Sequence, residues 1–321
     1  MAREGSMSTI TMVKRVDEYL VQRRRLGYAL KIEGAELLRF ARFADDLGHQ
    51  GHLTTALALA WATSSKTASR LSWARRLEIV RCFAKYRRVL EPTTEVPPTG
   101  LLGPAHRRIA PHIYTRRDVA RLLAAAARLS PAHGLRPATF HSLFGLLTAT
   151  GLRINEALHL ARHDVDLQQA LLIIRETKFH KSRLVPLHPT VVAALKDYSA
   201  RREHYVPYPV HDAFFLLDDG RALDYEHAHY TFGRLRRALG WQRDPNGRYP
   251  RLYDFRHTFV CQRLLTWYAQ GEDIDQKIAS LSTYLGHVKV TDTYWYVTGI
   301  PELMAIAAKR FETFAQQERP S

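Results

Sequence analysis

The chain has 321 residues, 46% hydrophobic and 24% charged, the balance of a globular protein with room for one large domain or two ordinary ones. Lysine and arginine number 47 against 31 aspartates and glutamates, giving +16 and a pI near 10.0, a field that draws polyanions and makes nucleic acid the first partner to consider. No apolar run reaches the roughly 18 residues of a membrane span and no signal-like segment occurs, so the expectation is a soluble, cytoplasmic protein with no membrane partner.

In chain order, apolar residues at helical spacing predict helices over Met12–Leu26, Ile32–Leu47, Thr54–Ala62 and Thr67–Val89, a small helical bundle. The last carries Lys66, Arg70, Arg75, Arg76, Arg81, Lys85, Arg87 and Arg88 against Glu78 alone. A charge run is usually a solvated face, but this excess of one sign suits a phosphate backbone, and Lys66, Arg70, Arg75 and Arg76 are the candidate DNA contacts. Glu91–Pro104 then packs four prolines and two glycines into a stretch that no helix interior tolerates, and reads as a linker. The expected division is residues 1–90, a linker over 91–110, and a second domain over 111–321. Residues 1–98 hold 17 basic and 10 acidic side chains and the remainder 30 and 21, so both parts are positive, as a clamp around a duplex requires.

After the linker, Thr115 and Asp118 resemble a capping box heading a helix, and a second helix covers about Ala138–Thr148. The turn at Gly151 leads into T-G-L-R-I-N-E. Ala170–Thr177 and Ser182–Leu187 are rich in β-branched and leucine residues and bracket a turn at Lys178–Lys181, predicting a hairpin. From Pro189 onward the pattern is helical apart from Ala213–Leu217. The fold class expected is mainly α with one small antiparallel sheet. Cys82 and Cys261 lack the spacing of a zinc site, and the pairs His49/His52 and His227/His229 lack further ligands, so neither metal nor cofactor is expected.

Four segments, T-G-L-R-I-N-E (150–156), T-K-F-H-K-S-R-L-V-P-L (177–187), L-Y-D-F-R-H-T-F (252–259) and Y-L-G-H followed by T-Y-W-Y (284–296), are each weak alone. In this order, in one basic chain, they resemble the tyrosine recombinases, the phage-integrase and Xer-like family of site-specific DNA recombinases. The resemblance covers the C-terminal block by motif and the N-terminal bundle, as the family's core-binding domain, by architecture only. It implies that Arg153 and Arg256 grip the scissile phosphate, that Lys178 is the hairpin lysine, and that Glu156 is the supporting acidic residue. It also implies that His287 belongs to the L-G-H motif and that Tyr296, nine residues on, is the nucleophile. Tyr253 stands where the family usually has histidine, and the spacing from Arg256 to His287 is longer than in compact members.

Chemistry supports these roles. A phosphodiester is anionic and its pentacoordinate transition state more so, and two guanidiniums can bind the nonbridging oxygens bidentately. The bland alternative for each arginine is a surface salt bridge. A tyrosine phenolate costs roughly 4 kcal/mol at pH 7, a cost that nearby positive charge must lower. Lys178 could protonate the 5′-oxygen leaving group. Lys181 and Arg183 are candidate DNA-backbone contacts on the same hairpin. Tyr253 can donate a hydrogen bond but carries no charge, which implies a supporting, replaceable role. His257, about 100° from Arg256 on a helix, is expected to be structural. Tyr294 and Tyr296 point roughly 200° apart, so only one can face a phosphate, and Tyr294 with Trp295 is expected to be aromatic packing.

The mechanism implied is cleavage to a 3′-phosphotyrosyl link and a free 5′-hydroxyl, strand exchange, and resolution of a Holliday junction. The competing readings are a non-catalytic DNA-binding relative, which Tyr253 favours, and a type IB topoisomerase. An amphipathic tail over Pro301–Phe314, with Leu303, Ile306, Ala307 and Phe311 on one side, suits either packing on its own core or docking elsewhere. The resemblance implies the second, a C-terminal docking helix on a neighbouring protomer, and with it a tetramer on two double-stranded DNA sites with inverted repeats. An integrase of a mobile element is the expected biological setting.

Overall fold

The computed structural model describes residues 11–106, 111–175, 182–244, 247–287 and 289–299. The chain divides into two compact units, residues 1–109 and 110–321.

The first unit holds α1 (Met12–Arg25), α2 (Lys31–Asp46), α3 (Thr55–Ala62) and α4 (Arg70–Leu90). Each predicted helix is present, and three begin where a hydroxyl caps them: Thr11, Thr54 and Ser69 accept from the backbone N–H three residues on. The Ser69 cap explains why α4 starts at Arg70 and not at Thr67. Val16, Leu20, Phe40, Trp61, Val80 and Phe83 form the core. The described part of the Pro-rich stretch lies on this unit: Val96 and Leu102 pack on the core, Glu95 N–H donates to Leu53 O, and Arg81 Nε donates to Pro97 O.

The second unit runs α5 (Arg116–Ala126), α6 (Arg136–Thr150), α7 (Ile154–Leu158), β1 (Val165–Asp166), β2 (Leu171–Ile174), β3 (Arg183–Pro186), α8 (Pro189–Tyr205), α9 (Tyr225–Ala238), α10 (Asp254–Ala269), α11 (Ile274–Leu285) and α12 (Thr291–Gly299). The Thr115–Asp118 capping box is formed. The predicted hairpin is β2–β3, antiparallel with Leu172 opposite Val185, and the two-residue β1 adds a third strand too short to show any periodicity. The Ala213–Leu217 stretch makes isolated bridges to Ala161 and Ala222.

Helix α6 is apolar around its circumference and so becomes the central element, packed by α5, α8 and α10. Phe140 and Phe144 join Phe232, Phe255 and Tyr114 in the main core. A second, smaller core gathers Phe259, Val260, Cys261, Leu264, Leu281, Leu285 and Tyr296. Helix α10 contributes Phe255 to the first core and Phe259 to the second, so Arg256 sits on the seam between them.

Candidate active site

The arginines are positioned by helix ends. Gly151 closes α6 at φ +63°, and a Cβ there would stand 2.6 Å from the Phe259 ring, so both the left-handed turn and the close approach require glycine. Gly286 closes α11 in the same conformation at φ +67°. Carbonyls at such C-termini lack intrahelical donors and carry the negative end of the helix dipole. Arg256, in the first turn of α10, supplies donors to both ends: Nη1 to Gly151 O at 2.9 Å and Nη2 to Leu285 O at 2.6 Å. The side chain is 1% exposed. Burial, then the Arg153 charge, lowers its pKa to about 10, so it remains cationic at neutral pH.

Arg153 caps α7, and its backbone N–H donates to Glu156 Oε2 at 2.9 Å. Its guanidinium donates from Nη1 to Glu156 Oε1 at 2.7 Å and from Nη2 to Gly286 O at 3.3 Å, and stays 28% exposed. The salt bridge expected of the bland reading is therefore present, but it points into a shared site. Arg183 departs from its expected place as a DNA contact. It forks onto the same carboxylate, Nη1 to Oε1 at 3.0 Å and Nη2 to Oε2 at 2.9 Å, while Nε donates to Tyr284 O at 2.8 Å. With 11% of its side chain exposed and all three nitrogens committed, it is an internal clamp. Strand alternation carries that signal, because Arg183 shares a face with buried Val185 while Leu184 between them is exposed. Burial opposes charge on Glu156, but the hydrogen bonds and charge of Arg183, and then of Arg153, outweigh it and hold the carboxyl at about 2.

Helix α12 presents its tyrosines to opposite surroundings, as the helical spacing requires. Tyr294 is 40% exposed and donates to Asp275 Oδ1 at 3.1 Å, so it is a surface residue and not the core packing expected. Tyr296 is 3% exposed. Burial raises its pKa, and Arg256 and Arg153 pull it back down. The phenol oxygen is 2.8 Å from Nδ1 of His257, the residue expected to be structural. Sequence spacing gave no signal for this contact, since the partner arrives from 39 residues away. His287 Nδ1 shares a 2.7 Å hydrogen bond with Thr293 Oγ1, and burial followed by the charges of Arg256 and Arg153 lowers its pKa to about 4. Tyr253 is 42% exposed and lines one cleft with Arg153, Asn155, Glu156 and Arg175.

Lys178, Lys181 and the tail from Pro301 lie outside the described residues. In the first unit Lys66, Arg70 and Arg75 are exposed, whereas Arg76 is half-buried between Glu36, at 3.6 Å, and the face of Trp61. Arg81 and Arg87 are likewise paired, with Glu78 and Glu91. Part of the α4 charge excess is thus internal ion pairing. His49, whose pairing with His52 suggested a metal at first sight, bonds the His52 carbonyl at 2.9 Å.

The sequence pattern of the phage integrase family matches residues 113–300. The Sinorhizobium fredii protein y4rB, which carries an integrase/recombinase name, is 43% identical over 306 residues, spanning 94% of this chain and 97% of its own. Among solved structures, the Tn1549 transposon integrase in complex with transposon right end DNA gives a TM-score of 0.70 at 16% identity, covering 95% of this chain and 100% of that one. The XerH site-specific recombinase, in a post-cleavage complex with a palindromic difH substrate, gives 0.66 at 17% identity over 94% and 85%. At such identities the likeness is one of fold.

Proposed function

Because the chain belongs to the phage integrase family of tyrosine recombinases, we propose that it is a site-specific DNA recombinase whose nucleophile is Tyr296. The observation that carries this reading is the convergence of Arg256, Arg153 and Tyr296, which brings one buried phenol into the field of two guanidiniums. Arg256 is held by neutral carbonyls, so its charge is left for an anionic ligand. Arg153, half-exposed beside it, provides the second grip on a nonbridging oxygen. Removing one preorganised donor of this kind costs roughly 10²- to 10³-fold in rate. Tyr296 attacks phosphorus, a 3′-phosphotyrosyl bond forms, and the 5′-oxygen leaves with a proton from Lys178. Because the phosphodiester bond energy is kept in that link, joining to a 5′-hydroxyl of a second duplex needs no nucleotide cofactor. His287 and Tyr253 support the phosphate.

The first 90 residues form a core-binding domain that tracks the backbone through Lys66, Arg70 and Arg75, with 91–110 as the connection to a catalytic domain over 111–321. The working unit is a homotetramer on two inverted-repeat sites, in the cytoplasm, serving a mobile element. Genomic DNA fragments from the host, incubated with the protein and quenched in SDS, test the assignment. Covalent adducts should form, map to one sequence, and vanish in Tyr296→Phe while gel-shift binding persists. Adducts that survive that substitution would sink it.

A further inference from the structure

We propose that His257 is the proton acceptor for Tyr296 in strand cleavage and returns the proton in strand joining. This rests on the reading of Tyr296 as nucleophile and deepens it. The geometry is direct: Nδ1 lies 2.8 Å from the phenol oxygen, with ring centroids 5.4 Å apart at 49°. The phenol is enclosed, 3% exposed among Val260, Cys261 and Leu264, so its proton cannot pass straight to bulk water. Burial keeps the phenol protonated and lowers His257 to about 4, so both partners are neutral before reaction. In that state the phenol O–H donates, Nδ1 accepts, and the ring proton sits on Nε2. The other imidazole, His287, has its Nδ1 engaged by Thr293. Position 253 offers a phenol ring, packed edge-on against His257 at 5.0 Å.

As the Tyr296 oxygen forms its bond to phosphorus, the O–H bond breaks and the proton moves to Nδ1. The P–O5′ electron pair departs with the 5′-oxygen, which is protonated by the separate acid. In joining, a 5′-hydroxyl displaces Tyr296 and the Nδ1 proton goes back to the phenol oxygen. The charged and titratable groups about His257 are Asp254 in its own helix turn, which favours the imidazolium, Arg251 and Arg256, which oppose it, and Tyr253 and Tyr296. A phosphate joining Arg256 adds negative charge on the favourable side.

The test uses the full chain and a nicked duplex of the sequence recovered by SDS trapping, with 5′-oxygen or 5′-bridging sulfur at the scissile bond. His257→Ala should slow single-turnover adduct formation by about 10²- to 10⁴-fold with gel-shift affinity unchanged. His257→Asn, which keeps an acceptor near the Nδ1 position but cannot hold the proton, should also be slow and guards against a misfolded alanine variant. The sulfur substrate, whose thiolate leaves without a proton, should restore Lys178→Ala but not His257→Ala. The rate of His257→Ala should climb about tenfold per pH unit from 7 to 9 as hydroxide replaces the imidazole, a response that a packing role does not produce. Wild-type rates in His257→Asn, or rescue of His257→Ala by the sulfur, would overturn the assignment. Failure of wild type to form any adduct overturns the Tyr296 reading itself, and this proposal with it, whereas a Tyr296-dependent adduct with normal His257 variants overturns this proposal alone.

Discussion

Glu156→Gln should destabilise the catalytic unit by about 3 kcal/mol at pH 7. The structure supplies the magnitude. The carboxyl moves from its ordinary 4.5 to about 2, and each tenfold change in proton affinity is worth roughly 1.4 kcal/mol. Only 7% of the Glu156 side chain is exposed, so solvent screening takes little away. The amide keeps an acceptor for Arg153 N–H but leaves the Arg183 guanidinium buried against a neutral group, a loss of about 3–5 kcal/mol when one partner of a buried pair is removed. The sign follows from linkage. A carboxyl depressed on folding stabilises fully above the unfolded value near 4.5, and that contribution fades as pH falls toward 2. Urea midpoints followed by the signal of the catalytic unit should therefore separate the variant from wild type at pH 7 and bring them together between pH 4.5 and 2. Equal midpoints at pH 7, or a gap that persists undiminished to pH 2, would refute the argument.

Arg183→Met, at the other end of the same pair, should cost stability without changing the salt dependence of DNA binding; a flatter slope would return Arg183 to the role of phosphate contact. Neutralising Lys66, Arg70 and Arg75 to glutamine should do the reverse, leaving urea midpoints within about 0.5 kcal/mol and lowering the slope of log affinity against log salt by up to about 3. Gly151→Ala places a methyl 2.6 Å from Phe259 at φ +63°, so a loss of at least about 1 kcal/mol and slower cleavage are expected, and a variant with normal melting and rate would show that the Gly151 turn does not position Arg256.

The helices were legible because their information is local. Thr11, Thr54 and Ser69 sit beside the residues they cap, and apolar spacing names the buried face without naming the neighbour. That Tyr294 and Tyr296 meet different surroundings was legible for the same reason, since two helix positions at 200° cannot share a surface. Pairings across the fold were not. His257 meets a helix from 39 residues on, and Arg183 meets a carboxylate 27 residues before it, so spacing alone left one as structural and the other as a DNA contact. Within the charge run of α4 the same holds for Arg76, because Glu36, which pairs with it, belongs to another helix.

Among the described residues, Arg153, Arg183 and Arg256 face one carboxylate, Glu156, which leaves two positive charges in the cluster. Burial first, and then that charge, pushes down the pKa values of His287 and of Arg256 itself. An anion at Arg153 and Arg256 therefore relieves a repulsion built into the free protein. Inorganic phosphate should raise the melting temperature of the catalytic unit with concentration, as expected for a ligand bound only by the folded state. At one hundred times its dissociation constant the gain is about 2.7 kcal/mol. Ionic strength matched with chloride separates this from screening. Arg153→Gln removes one of the two excess charges at the more exposed position, so its response to phosphate should be weaker while its melting temperature without phosphate falls less than that of Glu156→Gln. A phosphate response equal in wild type and Arg153→Gln would mean that the anion is held elsewhere, and that the excess charge is balanced within the protein.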